Sequence, residues 1–308
     1  MMKMIFHYRF LCFLHRKNVL YYNKIPGGKQ MGKYLFYDVD GTLVGNSQRI
    51  TERNKHALSE ARARGHRVFL CTGRAYLSAF LGLDDLEVDG MITHAGGIVS
   101  VGEQILYEHD ISLGLLHRML HLFQTHHIEY TLESKDGNFH TLGIQQFYLK
   151  WIDEQFKDDD NAKAILKADK IGKNQYNTTD FDERKNPVHK VSFLAPKRAD
   201  FEDIQDELSK YFHIHYFFGD SNYIDGELIP KDCTKAHGIT KILEYYQADL
   251  ADTVAFGDSM NDLPMISYVN TGIVHAQSPA ELKKYSSAVF DDPDQDGIYN
   301  AMKKLNFI

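Results

Sequence analysis

Tyr34-Leu35-Phe36-Tyr37 runs directly into Asp38-Val39-Asp40-Gly41-Thr42, and this stretch decides how the chain is read. Four apolar residues, rich in aromatics, suit a strand buried on both faces, as in a parallel sheet. The run stops at two carboxylates two residues apart, a spacing that turns both toward one side of an extended chain. Asp-Gly is also a common turn after a strand, so the segment taken alone leaves function and turn equally open.

Three further apolar runs end in the same abrupt way. Residues 68–71 stop at Thr72-Gly73-Arg74, residues 253–256 at Gly257-Asp258, and Met91-Ile92-Thr93 at His94-Ala95-Gly96-Gly97. Between the first two strands, residues 51–64 carry helix signals. Thr51 is placed to cap the N-terminus, Glu52 lies in the first turn, Ala57, Leu58 and Ala61 form an apolar stripe, and Gly65 follows the end. Strand, helix and strand at this spacing predict an α/β fold with a doubly wound, Rossmann-like parallel sheet, whose ligands bind beyond the carboxyl ends of the strands.

Residues 111–228 read differently. Helical patterns over 113–123 and 201–211 and a strand over 188–194 predict an inserted α+β domain. The expected organisation is a core of residues 31–110 and 229–308 with an inserted cap domain of residues 111–228.

Length allows one large or two moderate domains, and 43% hydrophobic with 25% charged residues matches a soluble globular protein. A formal net charge of -7 argues against a nucleic-acid partner, and no stretch reads as a membrane span. Cys12, Cys71 and Cys233 show no metal-ligand spacing and suit a reducing, cytoplasmic compartment. His121, His126 and His127 lack the H-E-x-x-H spacing and a cysteine pair, which excludes a zinc reading.

Residues 1–30 stand apart, with six basic and no acidic side chains. Charged residues and histidines interrupt any signal-peptide core. Gly27-Gly28-Lys29-Gln30-Met31 can be encoded by a purine-rich ribosome-binding sequence upstream of a start codon, so Met31 is read as the initiator and 1–30 as a non-native or disordered extension.

Gly257-Asp258-Ser259-Met260-Asn261-Asp262 shifts the balance at Asp38 toward function, because it supplies a second acidic cluster after a second buried run. Phosphoryl transfer needs charge neutralisation, magnesium prefers hard carboxylate oxygens, and a nucleophilic carboxylate can split one displacement into two through an acyl phosphate. D-V-D-G-T, the Thr72 position, a lysine near 235 and G-D-S-M-N-D occur in the order of the haloacid dehalogenase-like superfamily. The chain most resembles its Cof-type sugar-phosphatase branch, over about residues 31–308.

This resemblance implies a magnesium-dependent phosphatase of small phosphorylated metabolites, such as sugar phosphates, flavin mononucleotide or pyridoxal phosphate. Asp38 would attack phosphorus, and Asp40 would serve as acid and base. Asp38, Asp258 and the Asp40 carbonyl would hold Mg2+. Lys235, preferred over Lys231, would neutralise charge. Gly41, Thr42, Thr72, Gly73, Arg74 and Asn261 would contact phosphate or substrate, with Asp262 in support. Arg74 either touches phosphate or pairs with an acid. Ala236 and His94 depart from the glycine and asparagine usual there. A phosphosugar mutase and a non-catalytic metabolite-binding protein are the alternatives, and monomer and homodimer stay equally open.

Two acidic stretches are decoys. Residues 292–297 mimic an EF-hand start, but its twelfth position is Lys303 rather than glutamate, which rejects that reading; the family resemblance implies an acidic turn before the last helix. Residues 158–160 read as a solvated loop.

Overall fold

The computed structural model describes residues 32–219 and 222–308. The reading of Met31 as initiator and of 1–30 as an extension, and Cys12, fall outside the described residues.

In chain order the first part comprises β1 (Tyr34–Tyr37), α1 (Glu52–Ala63), β2 (Arg67–Cys71), β3 (Gly90–Thr93), β4 (Ile98–Val101) and β5 (Gln104–Glu108). The middle comprises α2 (Leu113–Thr125), β6 (Glu129–Ser134), β7 (Asn138–His140), α3 (Leu142–Gln155), α4 (Asp160–Ile171), β8 (Gln175–Asn177), β9 (Val188–Ala195), α5 (Arg198–Leu208), β10 (Phe212–Gly219) and β11 (Ile224–Pro230). The chain closes with α6 (Lys235–Tyr246), β12 (Thr253–Gly257), α7 (Leu263–Tyr268), β13 (Thr271–His275), α8 (Ala280–Lys283), β14 (Ala288–Phe290) and α9 (Gly297–Lys304).

Eight strands form the core sheet in the order β14-β13-β12-β1-β2-β3-β4-β5. β1 lies between β12 and β2, and pairing is parallel from β14 to β3. Side chains alternate across the sheet. Leu35 and Tyr37 join α1 and α9 in one apolar layer, while Phe36 joins α6 and α7 in the other. Burial on both faces is why these strands read as unbroken apolar runs, and the doubly wound α/β architecture is as expected. β4 and β5 run antiparallel and extend the sheet beyond what those runs foretold.

Local signals explain the elements around the site. The Thr51 hydroxyl accepts from the Asn54 amide at 3.2 Å, capping α1, and Gly65 follows the helix at φ 96°. The acidic turn before α9 latches the loop after β1. Asp294 accepts from the Ser47 hydroxyl at 2.6 Å, and Asp296 accepts from the Thr51 hydroxyl at 2.7 Å. Asp159 caps α4 by accepting from the Ala162 amide at 2.9 Å.

The second sheet, in the order β10-β11-β9-β6-β7-β8, is antiparallel except for β7 with β8. Leu132, Phe139, Val191, Phe193 and Leu228 bury one face among side chains of α2 and α5. The helix expected over 201–211 spans Arg198–Leu208 instead, because the chain turns at 209–211 and Phe212 begins β10. A boundary at 228/229 falls inside β11, which stays paired with β10 through Pro230. No helix among the described residues is long and apolar enough to cross a membrane.

Candidate active site

The carboxyl ends of β1, β2 and β12 converge on one edge of the core sheet, as the topological switch around β1 requires. Asp38 follows β1, Thr72 follows β2 and Asp258 follows β12, and all three line one cavity of about 970 Å3 between the core and the second sheet.

Lys235 is the first residue of α6, whose N-cap Thr234 accepts from the His237 amide at 3.1 Å. Its ammonium donates to Asp38 Oδ1 at 2.5 Å and to Asp262 Oδ1 at 2.6 Å, with all three groups buried. Gly96 (φ 113°) permits this placement, since a Cβ there would run into the Thr234 backbone. Lys231 is exposed and absent from the cavity lining, so Lys235 is the lysine brought to Asp38.

Asp262 has both oxygens engaged: Oδ2 accepts from the amides of Asp258 at 2.9 Å and Ser259 at 3.1 Å. It thus braces the loop that presents Asp258. Gly41 (φ 83°) leaves room for the Asp258 carboxylate where a Cβ would collide with it, and Thr42 donates to Asp258 Oδ1 at 3.1 Å. Gly41 and Thr42 therefore support a carboxylate rather than lining the cavity as expected. The Gly41 amide is spent on the Val44 carbonyl, and Thr42 is fully buried.

Thr72, Gly73, Arg74 and Asn261 do line the cavity. The Thr72 hydroxyl accepts from the Arg74 amide at 3.1 Å, and Asn261 Oδ1 accepts from the Ser259 hydroxyl at 2.7 Å. Arg74 pairs with an acid, donating from Nε and Nη2 to the two oxygens of Asp40. His94 is buried against His189, ring centroids 5.3 Å apart, and is not part of the lining. Cys71 and Cys233 are buried free thiols, and burial raises the Cys233 thiol to about 12.

Electrostatically the site is poised for a cation. Burial pushes Asp38 well above the usual carboxylate range against the pull of Lys235, and Asp262, Asp258 and Asp40 add to the rise. Burial and then Asp262 raise Asp258 to about 7. For Lys235, burial opposes the charge, but Asp262 and Asp38 hold it well above the ordinary lysine value. Among the described residues, Asp38, Asp258 and Asp262 are the one group of three side chains with ligand atoms close enough to share a metal ion. Three carboxylates around one ammonium leave an excess of negative charge that a divalent cation would neutralise. Asp38 and Asp258 keep an oxygen outside the hydrogen bonds described, whereas Asp262 does not, so the donor set fits a hard cation.

Opposite these residues the second sheet turns a polar face to the cavity: Glu133, Asn138, Lys190, Ser192 and Glu227. None was given a role in the site from the sequence. The available signal was period two over Lys190-Val191-Ser192-Phe193, where polar Lys190 and Ser192 alternate with apolar Val191 and Phe193. Asp169, on α4, also lines the cavity; burial alone would raise it, but Lys170, Ser78 and Arg74 hold it below the usual carboxylate range.

A family model described as haloacid dehalogenase-like hydrolase matches residues 35–302. YkrA of Bacillus subtilis, which carries a phosphatase name, is 28% identical over 280 residues, covering 90% of this chain and 98% of its own. An HMP-PP phosphatase of Yersinia enterocolitica is 26% identical over 82% of this chain and 87% of its own. The 5-amino-6-(5-phospho-D-ribitylamino)uracil phosphatase YwtE of B. subtilis is 25% identical over 86% and 95%. In fold, the HAD subclass IIB sugar phosphatase BT4131 superposes with TM-score 0.70 at 23% identity, over 90% of this chain and all of its own. A protein of Geobacillus kaustophilus superposes with TM-score 0.73 at 19% identity, over 90% and 99%. The chain belongs to the haloacid dehalogenase-like hydrolases, in their Cof-type branch, and is an enzyme of the phosphatase class.

Proposed function

We propose that the chain is a Mg2+-dependent phosphatase of small phosphorylated metabolites in the cytoplasm, working through an aspartyl phosphate on Asp38, with the inserted domain selecting the substrate. The observation that carries this reading is the buried Asp38 carboxylate at the cavity floor, held on one oxygen by Lys235 at 2.5 Å. A nucleophile that must meet one phosphorus atom benefits from such fixing. The names of the relatives, an HMP-PP phosphatase and a phosphoribitylaminouracil phosphatase, support small phosphorylated metabolites as the substrate class.

Asp38, Asp258 and the Asp40 carbonyl would hold Mg2+, which when bound neutralises charge on the phosphoryl oxygens. One Asp38 oxygen attacks phosphorus while the bond from phosphorus to the leaving oxygen breaks. Asp40, as the acid, gives its proton to that oxygen. Water then attacks the Asp38 phosphate, Asp40 takes the water proton, and release of inorganic phosphate regenerates the Asp38 carboxylate. Lys235 stabilises the nucleophile throughout, and the hydroxyl of Thr72, which lines the same cavity, would hydrogen-bond the phosphoryl group.

Phosphate release from a panel of sugar phosphates, flavin mononucleotide and pyridoxal phosphate, with Asp38→Asn as control, tests the reading. Release by the wild type alone supports it. Equal release by both proteins contradicts it.

A further inference from the structure

We propose that the polar face of the second sheet is a leaving-group subsite built for a neutral, polyhydroxylated group and set against anionic ones. This rests on the phosphatase reading above and adds the chemistry of the part of the substrate that departs.

The subsite follows from strand register. Asn138, Glu133 and Lys190 are cross-strand neighbours on β7, β6 and β9, with Glu227 beside Ser192 on β11. Lys190 is buried between two buried glutamates, at 2.5 Å from Glu227 Oε2 and 3.3 Å from Glu133 Oε2. Ser192 donates to the other Glu133 oxygen at 2.7 Å. An ammonium has three donors, so Lys190 keeps one for a ligand, and carboxylate oxygens accept more than one hydrogen bond each. Asn138 is 6% exposed and lines the same cavity, yet its Oδ1 has no partner among the described residues. A buried amide oxygen without a partner costs stability unless a ligand supplies a donor. Hydroxyl groups, which donate and accept at once, match this set.

Charge decides against an anion. Two glutamates around one lysine leave one net negative charge on this wall, and the nearby Asp169–Lys170 pair, at 2.9 Å, cancels itself. Burial raises the Glu133 carboxyl against the pull of Lys190, so the wall already resists its own second negative charge. A carboxylate or second phosphate on the leaving group would meet the same resistance with Lys190 already engaged. Trp151 and Leu166, from α3 and α4, also line the cavity and offer apolar contact for the C–H faces of such a chain.

The test compares sorbitol 6-phosphate with 6-phosphogluconate, acyclic substrates that differ by a hydroxymethyl against a carboxylate. With the full chain and Mg2+, kcat/KM is measured for each, or its inhibition of p-nitrophenyl phosphate turnover where hydrolysis is slow. The neutral compound should be favoured by about 10²-fold, the order expected when like charges are brought together in a buried site. Glu133→Gln and Glu227→Gln should each shrink that ratio about 10-fold, and a ratio taken within one variant cancels any shared loss of folding or chemistry. Equal values for the two compounds in the wild type, no binding of either, or an unchanged ratio in both variants would overturn the subsite. Absence of p-nitrophenyl phosphate hydrolysis by the wild type would instead strike the phosphatase reading and this inference with it.

Discussion

Arg74 takes both carboxylate oxygens of Asp40, donating from Nε to Oδ2 at 2.8 Å and from Nη2 to Oδ1 at 2.7 Å, while its Nη1 donates to the Leu81 carbonyl at 2.5 Å. The fork anchors the Asp40 carboxyl at the cavity wall. Under the proposed mechanism Arg74 would act through Asp40 rather than on the phosphoryl group.

Loss of the fork should therefore weaken proton transfer more than phosphorus attack. Arg74→Ala should lower kcat for an alkyl phosphate about 10- to 10²-fold, the usual effect of removing an orienting partner, and should affect an aryl phosphate less. Arg74→Lys should not restore the rate, because one ammonium cannot make two parallel bonds. Steady-state kinetics on both substrates decides this. Equal losses on aryl and alkyl substrates would show that Arg74 binds phosphate instead.

Lys235 should matter for the fold as well as for turnover. Replacing it with Met leaves Asp38 and Asp262 buried without their counter-charge, and breaking such a pair costs about 3–5 kcal/mol. The folded pKa of Lys235 is raised, so its stabilisation is complete below the unfolded lysine value of about 10.4 and is lost only as pH rises through the higher folded value. Urea denaturation of Lys235→Met in chelator near pH 7 should show the full loss. A midpoint equal to wild type would contradict the pairing.

Asp258 shifts in the same direction as Lys235, but its window lies near neutral pH. Its carboxyl sits at about 7 in the folded protein, above the unfolded value of about 3.9, so the folded state keeps a proton that the unfolded state releases. In metal-free protein that contribution is complete below about pH 4 and is lost as pH rises through about 7. Mg2+ requires the ionised ligand, so the urea midpoint gained on adding it should grow from pH 5 to pH 8. Asp258→Asn should abolish most of that gain, and chelator-treated wild type should regain turnover on adding Mg2+. A gain independent of pH, or undiminished in Asp258→Asn, would contradict the ligand assignment.

The core was legible because its physics is local. An apolar run ending at Asp38, the Thr51 cap and the Gly65 stop each declare themselves over a few residues, and β1, α1 and β2 lie where those signals put them. Lys235, by contrast, is 197 residues from Asp38, and no periodicity links them; only the order of motifs brought it forward. The contacts of Gly41 and Thr42 with Asp258 were not legible, because that partner arrives from the far end of the chain. The polar face of the second sheet was missed for a related reason. Lys190 acquires its meaning from Glu133 and Glu227 on neighbouring strands, and strand pairing is not written in any single segment.

Rapid-quench trapping of the phosphoenzyme is the measurement that tests the central claim most directly. With radiolabelled p-nitrophenyl phosphate, Asp40→Asn should accumulate protein-bound label that hydroxylamine removes and that maps to the Asp38 peptide. Its attack step survives on a good leaving group, while water activation is slowed about 10²- to 10⁴-fold. Asp38→Asn should bind no label and turn over no substrate. Label on the Asp38→Asn protein, or full turnover without Asp38, would contradict the covalent role assigned to this carboxylate.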